Sequence, residues 1–338
     1  MHVLLTAPGF EAALIEEIDR ADAGDAKLLA NGVVGLEARC RPEETDFVFA
    51  RHVLFDALEI RGESVSALAD GALFPWVPIL DADEAPWELQ AFIPDEHLEA
   101  HVLERRAELV GEKIAEALKK RRKRVLRRKV DSGARKLAQV LLVDRDRGYA
   151  SLADRLSLPG GGLWPSAFPA GRAEIADDWE APSSAYRKLE EALGWLPVKV
   201  RPKDRVVDLG AAPGGWTHVA LRLGADVQAI DKAELDPMIA AHPRLSRVSK
   251  DAFNFEPEDP PVDWLLTDVI AEPEKLLSLL LRWTKNNWCK HFVAHLKFKG
   301  DTNYGLIDDA LRGLRAAGYK GVRAKKLLHD KNEVTLMA

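Results

Sequence analysis

The C-terminal half of the chain predicts an α/β fold, a mostly parallel seven-stranded sheet with a terminal antiparallel hairpin, preceded by an α+β region. Three observations carry this. From Asp204 onward, short apolar runs alternate with stretches of helical period, the pattern of a parallel sheet covered on both faces. The last two apolar runs are separated only by HDKN, too short for a crossover helix, so they form an antiparallel hairpin at one sheet edge. In the first 150 residues, strand-like and helix-like segments mix without that regular alternation.

In order, RVVDLG reads as a buried strand, THVALRLG as a helix closed by Gly224 and ADVQAID as the next strand. PMIAAHPRL, SRVSKD and VDWLLTD continue the series. PEKLLSLLLRWTKNNW has apolar residues at helical spacing, KHFVAHLKF is a strand, YGLIDDALRGLRAAG is a helix ending in Gly318, and GVRAKKLL and EVTLM are the hairpin. Upstream, VLLTAPGFEAALIEEIDR reads as a strand and an amphipathic helix. VVGLEAR and PWELQAFIPD read as strands, and LAQVLLVDRDRGYASLA as a strand pair. HVLERRAELVGEKIAEALKKRRKRVLRRK predicts one long helix over residues 101 to 129, with Val102, Leu103, Leu109, Val110, Ile114 and Leu118 recurring every three to four residues. The Pro- and Gly-rich stretch SLPGGGLWPSAFPAGR marks a linker, which divides the chain into residues 1–156, a linker over 157–180 and a domain over 181–338.

Bulk composition narrows the function classes. Hydrophobic residues make up 47% and charged residues 30% of the 338, the range of a soluble globular protein. The N-terminus lacks the basic segment of a secretory signal, and no uncharged apolar run approaches the roughly 18 residues of a membrane span. Cys40 and Cys289 form neither a disulfide framework nor a metal-site spacing. The expectation is a cytoplasmic protein working without membrane or metal. The net charge of -6 is unevenly spread: residues 1–100 carry 6 Lys+Arg against 21 Asp+Glu, whereas residues 101–180 carry 18 against 12. A polyanionic partner would be met by the middle and C-terminal parts.

The stretch DLGAAPGGW joins the first strand of the α/β domain to a helix. Glycines there let backbone amides and the helix N-terminus approach a ligand closely. A dinucleotide fingerprint requires G-x-G-x-x-G, whereas this turn has Gly210, Gly214 and Gly215, and Pro213 removes one amide donor. Fewer donors suit a ligand without phosphates. Asp231 ends the second strand, where an acid accepts hydrogen bonds from a ribose diol, and Asp251 ends the third, where an acid meets the amine of an adenine. A small-residue turn with two such acids describes S-adenosylmethionine.

What is methylated is narrowed by what is missing. TDVIAEP follows the fourth strand where amine methylation uses an Asp/Asn-Pro-Pro-aromatic motif, and Cys289 lies too late to be the thiolate of pyrimidine-carbon methylation. Four charged residues instead fall at element ends: Lys188 in a helix just upstream of the first strand, Asp268 ending the fourth, Lys297 ending the fifth and Glu333 opening the last. In an open α/β sheet all four converge on the carboxyl edge beside the cofactor. Two lysines among two carboxylates suit an alcohol acceptor. Lys297 is the candidate general base and must be neutral to act, Lys188 depresses its proton affinity, Asp268 orients it, and Glu333 holds Lys188 or the acceptor ribose.

APSSAYRKLEEA, VVDLGAAPGGW, TDVIAEP, HLKFKG and HDKNEVTL, in this order, resemble the FtsJ-like RNA 2′-O-ribose methyltransferases over residues 181–338. Within that family the resemblance is greatest to enzymes that modify a cytidine of bacterial 23S rRNA and carry an N-terminal THUMP domain. It implies a Rossmann-like methyltransferase domain, the tetrad Lys188, Asp268, Lys297 and Glu333, and S-adenosylmethionine contacts at Pro213, Gly214, Gly215, Trp216, Asp231, Asp251 and Asp268. It also implies a THUMP-like RNA-binding region ahead of the domain and large-subunit rRNA as partner.

KKRRKRVLRRK, residues 119 to 129, has nine cations in eleven residues. Helix-dipole complementation rewards only the last turn, so this density points to phosphate contact through Lys119, Lys120, Arg121, Arg122, Lys123, Arg124, Arg127 and Arg128. Two other readings stay open at this stage: a small-molecule O-methyltransferase, which would not need the basic run, and a non-catalytic RNA-binding protein on the same scaffold.

Overall fold

In the computed structural model, which describes residues 1–95, 100–158, 163–166, 168–298 and 304–338, the chain divides into two units. The first is Met1–Leu158 with Leu163–Arg172, and the second, among the described residues, is Ala173–Ala338. The expected linker over 157–180 is therefore divided between the two. Trp164 is buried in the first unit, where its indole N–H donates to Thr45 Oγ1 at 2.9 Å, and residues 159–162 and 167 lie outside the described residues.

The first unit is α+β, as expected. Its elements are β1 (His2–Leu5), α1 (Glu11–Arg20), β2 (Gly24–Ala30), β3 (Val33–Ala38), β4 (His52–Leu54), β5 (Leu58–Arg61), α2 (Val65–Ala82), β6 (Trp87–Phe92), α3 (Ala100–Arg121), α4 (Lys123–Leu126), β7 (Lys129–Val130), β8 (Lys136–Leu142), β9 (Arg147–Asp154), β10 (Leu156–Ser157) and β11 (Leu163–Trp164). They build a four-stranded sheet in the order β2-β3-β1-β4 and a five-stranded sheet in the order β5-β9-β8-β6-β7. Because β6 and β8 are parallel, a crossover must join them, and α3 supplies it. Leu103, Ala107, Val110, Ile114 and Leu118 form its buried stripe against α2 and the sheet. Each buried Leu, Ile or Val in that stripe contributes about 2 kcal/mol of apolar burial.

The single helix expected over 101–129 is not continuous. It ends at Arg121, Arg122 leaves helical geometry (φ -143°, ψ 52°), α4 adds one turn, and Lys129 enters the edge strand β7 beside β6. The cause is tertiary: the indole N–H of Trp87 in β6 donates to Val125 O at 2.9 Å and draws the chain back to the sheet. Val102, expected on the buried face, is exposed. One helix, Val65–Ala82, has the length and mean hydropathy (1.2) of a membrane span. It contains Asp70 and Asp81 and packs Leu68, Ala72, Leu73, Trp76 and Leu80 into the core of this unit.

The second unit comprises α5 (Tyr186–Trp195), β12 (Arg205–Leu209), α6 (Gly215–Arg222), β13 (Asp226–Ile230), α7 (Pro237–Ala240), β14 (Leu245–Val248), β15 (Val262–Thr267), α8 (Pro273–Lys285), β16 (Cys289–Lys297), α9 (Gly305–Ala316), β17 (Arg323–Lys325) and β18 (Glu333–Met337). The seven strands lie in the order β14-β13-β12-β15-β16-β18-β17. The first five run parallel, and β18 is antiparallel to both β16 and β17, which is the expected closing hairpin. The later of the two hairpin strands is the one inserted next to β16. Strand order reverses between β12 and β15, so their carboxyl ends open a crevice.

Candidate active site

The crevice is a cavity of about 500 Å³ lined by Ser183, Ala185, Asp208, Gly210, Ala211, Ala212, Pro213, Gly215, Trp216, Asp231, Asp268, Val269, Ile270 and Lys297. Its floor is the turn after β12. Gly210 has φ +77°, and a Cβ there would lie 2.9 Å from Cβ of Val269, so a side chain would push apart the two strand ends that frame the crevice. Gly214, with φ +117°, is the N-cap of α6 and adopts a left-handed conformation that a larger residue would resist. Trp216 donates its indole N–H to Ala185 O at 3.0 Å, fastening α6 to the entry of α5.

Of the expected cofactor residues, Pro213, Gly215, Trp216, Asp231 and Asp268 line the cavity. Asp231 accepts from the amides of Ala212 (3.0 Å) and Ala233 (2.8 Å), which fixes its carboxylate at the end of β13. Gly214 shapes the turn from behind without lining the cavity. Asp251 does not line it either: its carboxylate accepts from the amide of Phe253 at 2.9 Å and pairs with Lys232 at 2.7 Å, which hold it well below the usual carboxylate range.

Asp208, not singled out from the sequence, lies at the cavity floor and is buried. Burial pushes its carboxyl up to about 7, against the hydroxyl of Thr217, which donates to it at 2.7 Å; Asp268 and Asp231 push it further upward. Its position between apolar Val207 and Leu209, in the buried part of the strand, was a usable signal, since an acid there has no packing role.

The four candidate catalytic residues meet at the rim. Lys297 ends β16 and donates to Asp268 O at 2.6 Å, while its Nζ lies 2.8 Å from Asp268 Oδ1. Lys188, in the first turn of α5, is ion-paired with Glu333, and its Nζ is 4.0 Å from Asp268 Oδ2. The register of β16 and β18 sets Glu333 directly opposite Lys297. Burial alone would raise the Asp268 carboxyl, but the His295 ring with Lys188 and Lys297 outweighs it and holds the group well below the usual range. The segment leading to Glu333 is tied to α5: buried Glu191 accepts from the amides of Leu328 (2.8 Å) and His329 (3.0 Å). Glu191, like His295, escaped the sequence reading, because its partners are more than a hundred residues away. Of the motif HLKFKG, Gly300 and the preceding Lys299 lie outside the described residues.

Comparison with known proteins bears on this site. Residues 182–291 match the model of the FtsJ-like methyltransferase family. The matched residues lie within the second unit, which resembles that family over this stretch. The match ends before Lys297 and Glu333, whose place beside Lys188 and Asp268 is set by the fold. Among curated proteins, the chain is 36% identical over 167 residues to ribosomal RNA large subunit methyltransferase M of Xylella fastidiosa (strain M12), covering 47% of each chain. It is 37% identical over 178 residues to the protein of that name from Halorhodospira halophila, covering 52% of this chain and 51% of that one. Against the Xanthomonas campestris pv. campestris (strain B100) protein the figure is 31% over 208 residues, with 59% and 57% covered. The matched part thus spans about half the length of these curated relatives.

The cofactor of such a domain is S-adenosylmethionine, and the cavity fits it. The acids Asp231 and Asp268 line the cavity, with Asp208 at its floor as a carboxyl pushed up to about 7, and Lys297 is the one cation in its described lining. That lining repels phosphate and favours a ligand with sulfonium and ammonium charges. Pro213, without an N–H, also leaves the turn one donor short of a pyrophosphate cradle.

The basic run belongs to the first unit. Lys120 pairs with Glu116 at 2.8 Å, Arg122 with Asp81 at 2.9 Å and Arg124 with Glu84, while Arg128 donates to Leu80 O at 2.6 Å. Lys119, Arg121, Lys123 and Arg127 are exposed and have no ion pair among the described residues.

Proposed function

We propose that the protein is an S-adenosylmethionine-dependent 2′-O-ribose methyltransferase acting on large-subunit (23S) rRNA in the bacterial cytoplasm, with a cytidine as the acceptor. The convergence of Lys188, Asp268, Lys297 and Glu333 beside a cavity suited to a sulfonium ligand carries this reading. The identity to large-subunit rRNA methyltransferases supports the choice of substrate.

When bound, S-adenosylmethionine supplies an electrophilic methyl group on a sulfonium. Lys297 accepts the proton of the ribose 2′-hydroxyl, which a lysine does only in its neutral form. Asp268 fixes the Lys297 amine through both its main-chain carbonyl and its carboxylate, so the lone pair has one direction left to point. Lys188 sits as a second cation on the other carboxylate oxygen of Asp268, and Glu333 holds Lys188 in place and accepts from the acceptor ribose. Pro213, Gly215, Trp216 and Asp231 form the cofactor wall, while Gly214 shapes the turn behind it and Asp251 acts through the turn it caps.

We assign the first unit, over residues 1–156, to a THUMP-like RNA-binding module whose basic run grips phosphate while the second unit selects the ribose. Of the stretch 157–180, the described residues up to Arg172 belong to the first unit and Ala173 onward leads into the domain over 181–338. The test is to map 2′-O-methyl groups in rRNA from cells with and without the gene, and to repeat the transfer with purified protein and rRNA. One missing 2′-O-methylcytidine in 23S rRNA is expected in the deletion. An unchanged map overturns the assignment.

A further inference from the structure

His295 is fully buried on β16, two residues before Lys297 and on the same face of the strand. Its Nδ1 lies 3.4 Å from Asp268 Oδ1 and 3.9 Å from Glu333 Oε2, and its Nε2 lies 3.8 Å from Asp330 Oδ1. Its ring stands edge-on to Trp216, with centroids 4.7 Å apart at 86°. Asp330 is itself immobilised: its Oδ2 accepts from the Leu327 amide (3.0 Å) and the Thr335 hydroxyl (3.1 Å), and its main-chain carbonyl from Lys326. Neither ring nitrogen has a shorter polar contact among the described residues.

A buried polar group without a partner costs about 1 to 3 kcal/mol. An apolar residue would fill this place on a central strand at no such cost. What the imidazole provides is a rigid spacer with a carboxylate opposite each nitrogen, so it cannot turn without losing one of them. We infer that His295 is a positioning residue, held between Asp330 and Asp268, that sets the Asp268 carboxylate against Lys297. This inference rests on the reading that Asp268 and Lys297 carry the reaction.

His295→Leu is expected to lower kcat by up to about a hundredfold, the cost of a misplaced reacting group, with KM for S-adenosylmethionine and RNA unchanged. His295→Gln, which keeps a donor, restores part of the loss. Asp330→Asn lowers kcat in the same direction, and its effect is not additive with His295→Leu, because both act through one contact. A readout independent of turnover is the ¹⁵N spectrum of the histidine side chains in the full-length protein: Asp330→Asn shifts the His295 ring signals. Absence of methyl transfer in the wild type would defeat the proposed function, while the spectrum still tests the clamp. Ring signals unmoved by Asp330→Asn, or a His295→Leu protein that loses thermal stability and cofactor affinity with kcat intact, overturn the inference. His295, Asp330 and Glu333 also present ligand atoms within 4.8 Å of one another. A shift of the ring signals on adding Mg²⁺ or Zn²⁺ would make them a metal site and equally overturn it.

Discussion

Lys297 and Glu333 face each other across the antiparallel register of β16 and β18. The closing hairpin therefore completes a site whose other half is built on the parallel strands. The parallel part brings Asp268 to the end of β15, beside β16, and the hairpin returns Glu333 to hold Lys188 of α5. Removing Lys188 takes the ion-pair partner from Glu333, and removing Asp268 takes it from Lys297.

Lys297→Ala removes the proposed general base. Methyl transfer is expected to fall by about a thousandfold, within the range for loss of acid–base catalysis, while cofactor and RNA affinities stay as in the wild type. Isothermal titration with S-adenosylhomocysteine and a single-turnover assay separate the two. A variant that still transfers at the wild-type rate removes Lys297 from the mechanism.

Lys188→Met and Glu333→Gln break the same ion pair. Each lowers kcat, and the double variant is expected to be little worse than the worse single one, since residues in one network do not add. Additive losses would mean that the two residues act separately.

Gly210→Ala tests the turn. A methyl group there meets the side chain of Val269 at 2.9 Å in a backbone conformation that alanine disfavours. Cofactor affinity is expected to drop at least tenfold, about 1.4 kcal/mol, with the far-ultraviolet dichroism unchanged. Unaltered affinity would place the cofactor elsewhere.

Asp208 makes stability depend on pH. Its carboxyl is pushed up to about 7 by burial, so the folded state holds a proton that the unfolded chain releases near pH 4. Stability is then fully favoured below the unfolded value and falls as pH rises towards 7, by several kcal/mol at about 1.4 kcal/mol per pH unit. Asp208→Asn keeps an oxygen for Thr217 and removes the charge. Thermal unfolding from pH 4 to 8 should show a decline in the wild type that the variant lacks, and parallel curves would refute the burial argument.

The basic run divides into two groups. Reversing Lys119, Arg121, Lys123 and Arg127 to glutamate is expected to weaken RNA binding and flatten its dependence on salt, leaving cofactor affinity unchanged. Reversing Arg122 and Arg124 also loses pairs to Asp81 and Glu84 and should lower the melting temperature. Unchanged RNA affinity in the first variant would make the run a solvated face.

The basic run shows why a local reading has limits. Its charge density is legible in eleven consecutive residues, but the acids that neutralise part of it lie 40 and 41 residues away at the end of α2. The helix break at Arg122 is equally invisible locally, because helical propensity is strong throughout and the cause is Trp87 reaching across from β6. In the second unit the same contrast recurs. Strand and helix order, the small-residue turn and the four charged ends follow from periodicity and motif. Asp251 reads from the sequence as the end of the third strand, whereas β14 ends at Val248 and Asp251 caps the turn beyond it and pairs with Lys232.

By itself, then, the sequence determined the succession of elements in the second unit, the glycine-and-proline turn and the residue types available at the sheet edge. These depend on short-range sterics and on hydrophobic period. Tertiary structure alone decided that β18 inserts beside β16, that Glu191 pins Leu328 and His329 to α5 and that His295 stands between Asp268 and Asp330. Those contacts join residues far apart in the chain, and strand register and close packing select them, neither of which leaves a mark on any local stretch.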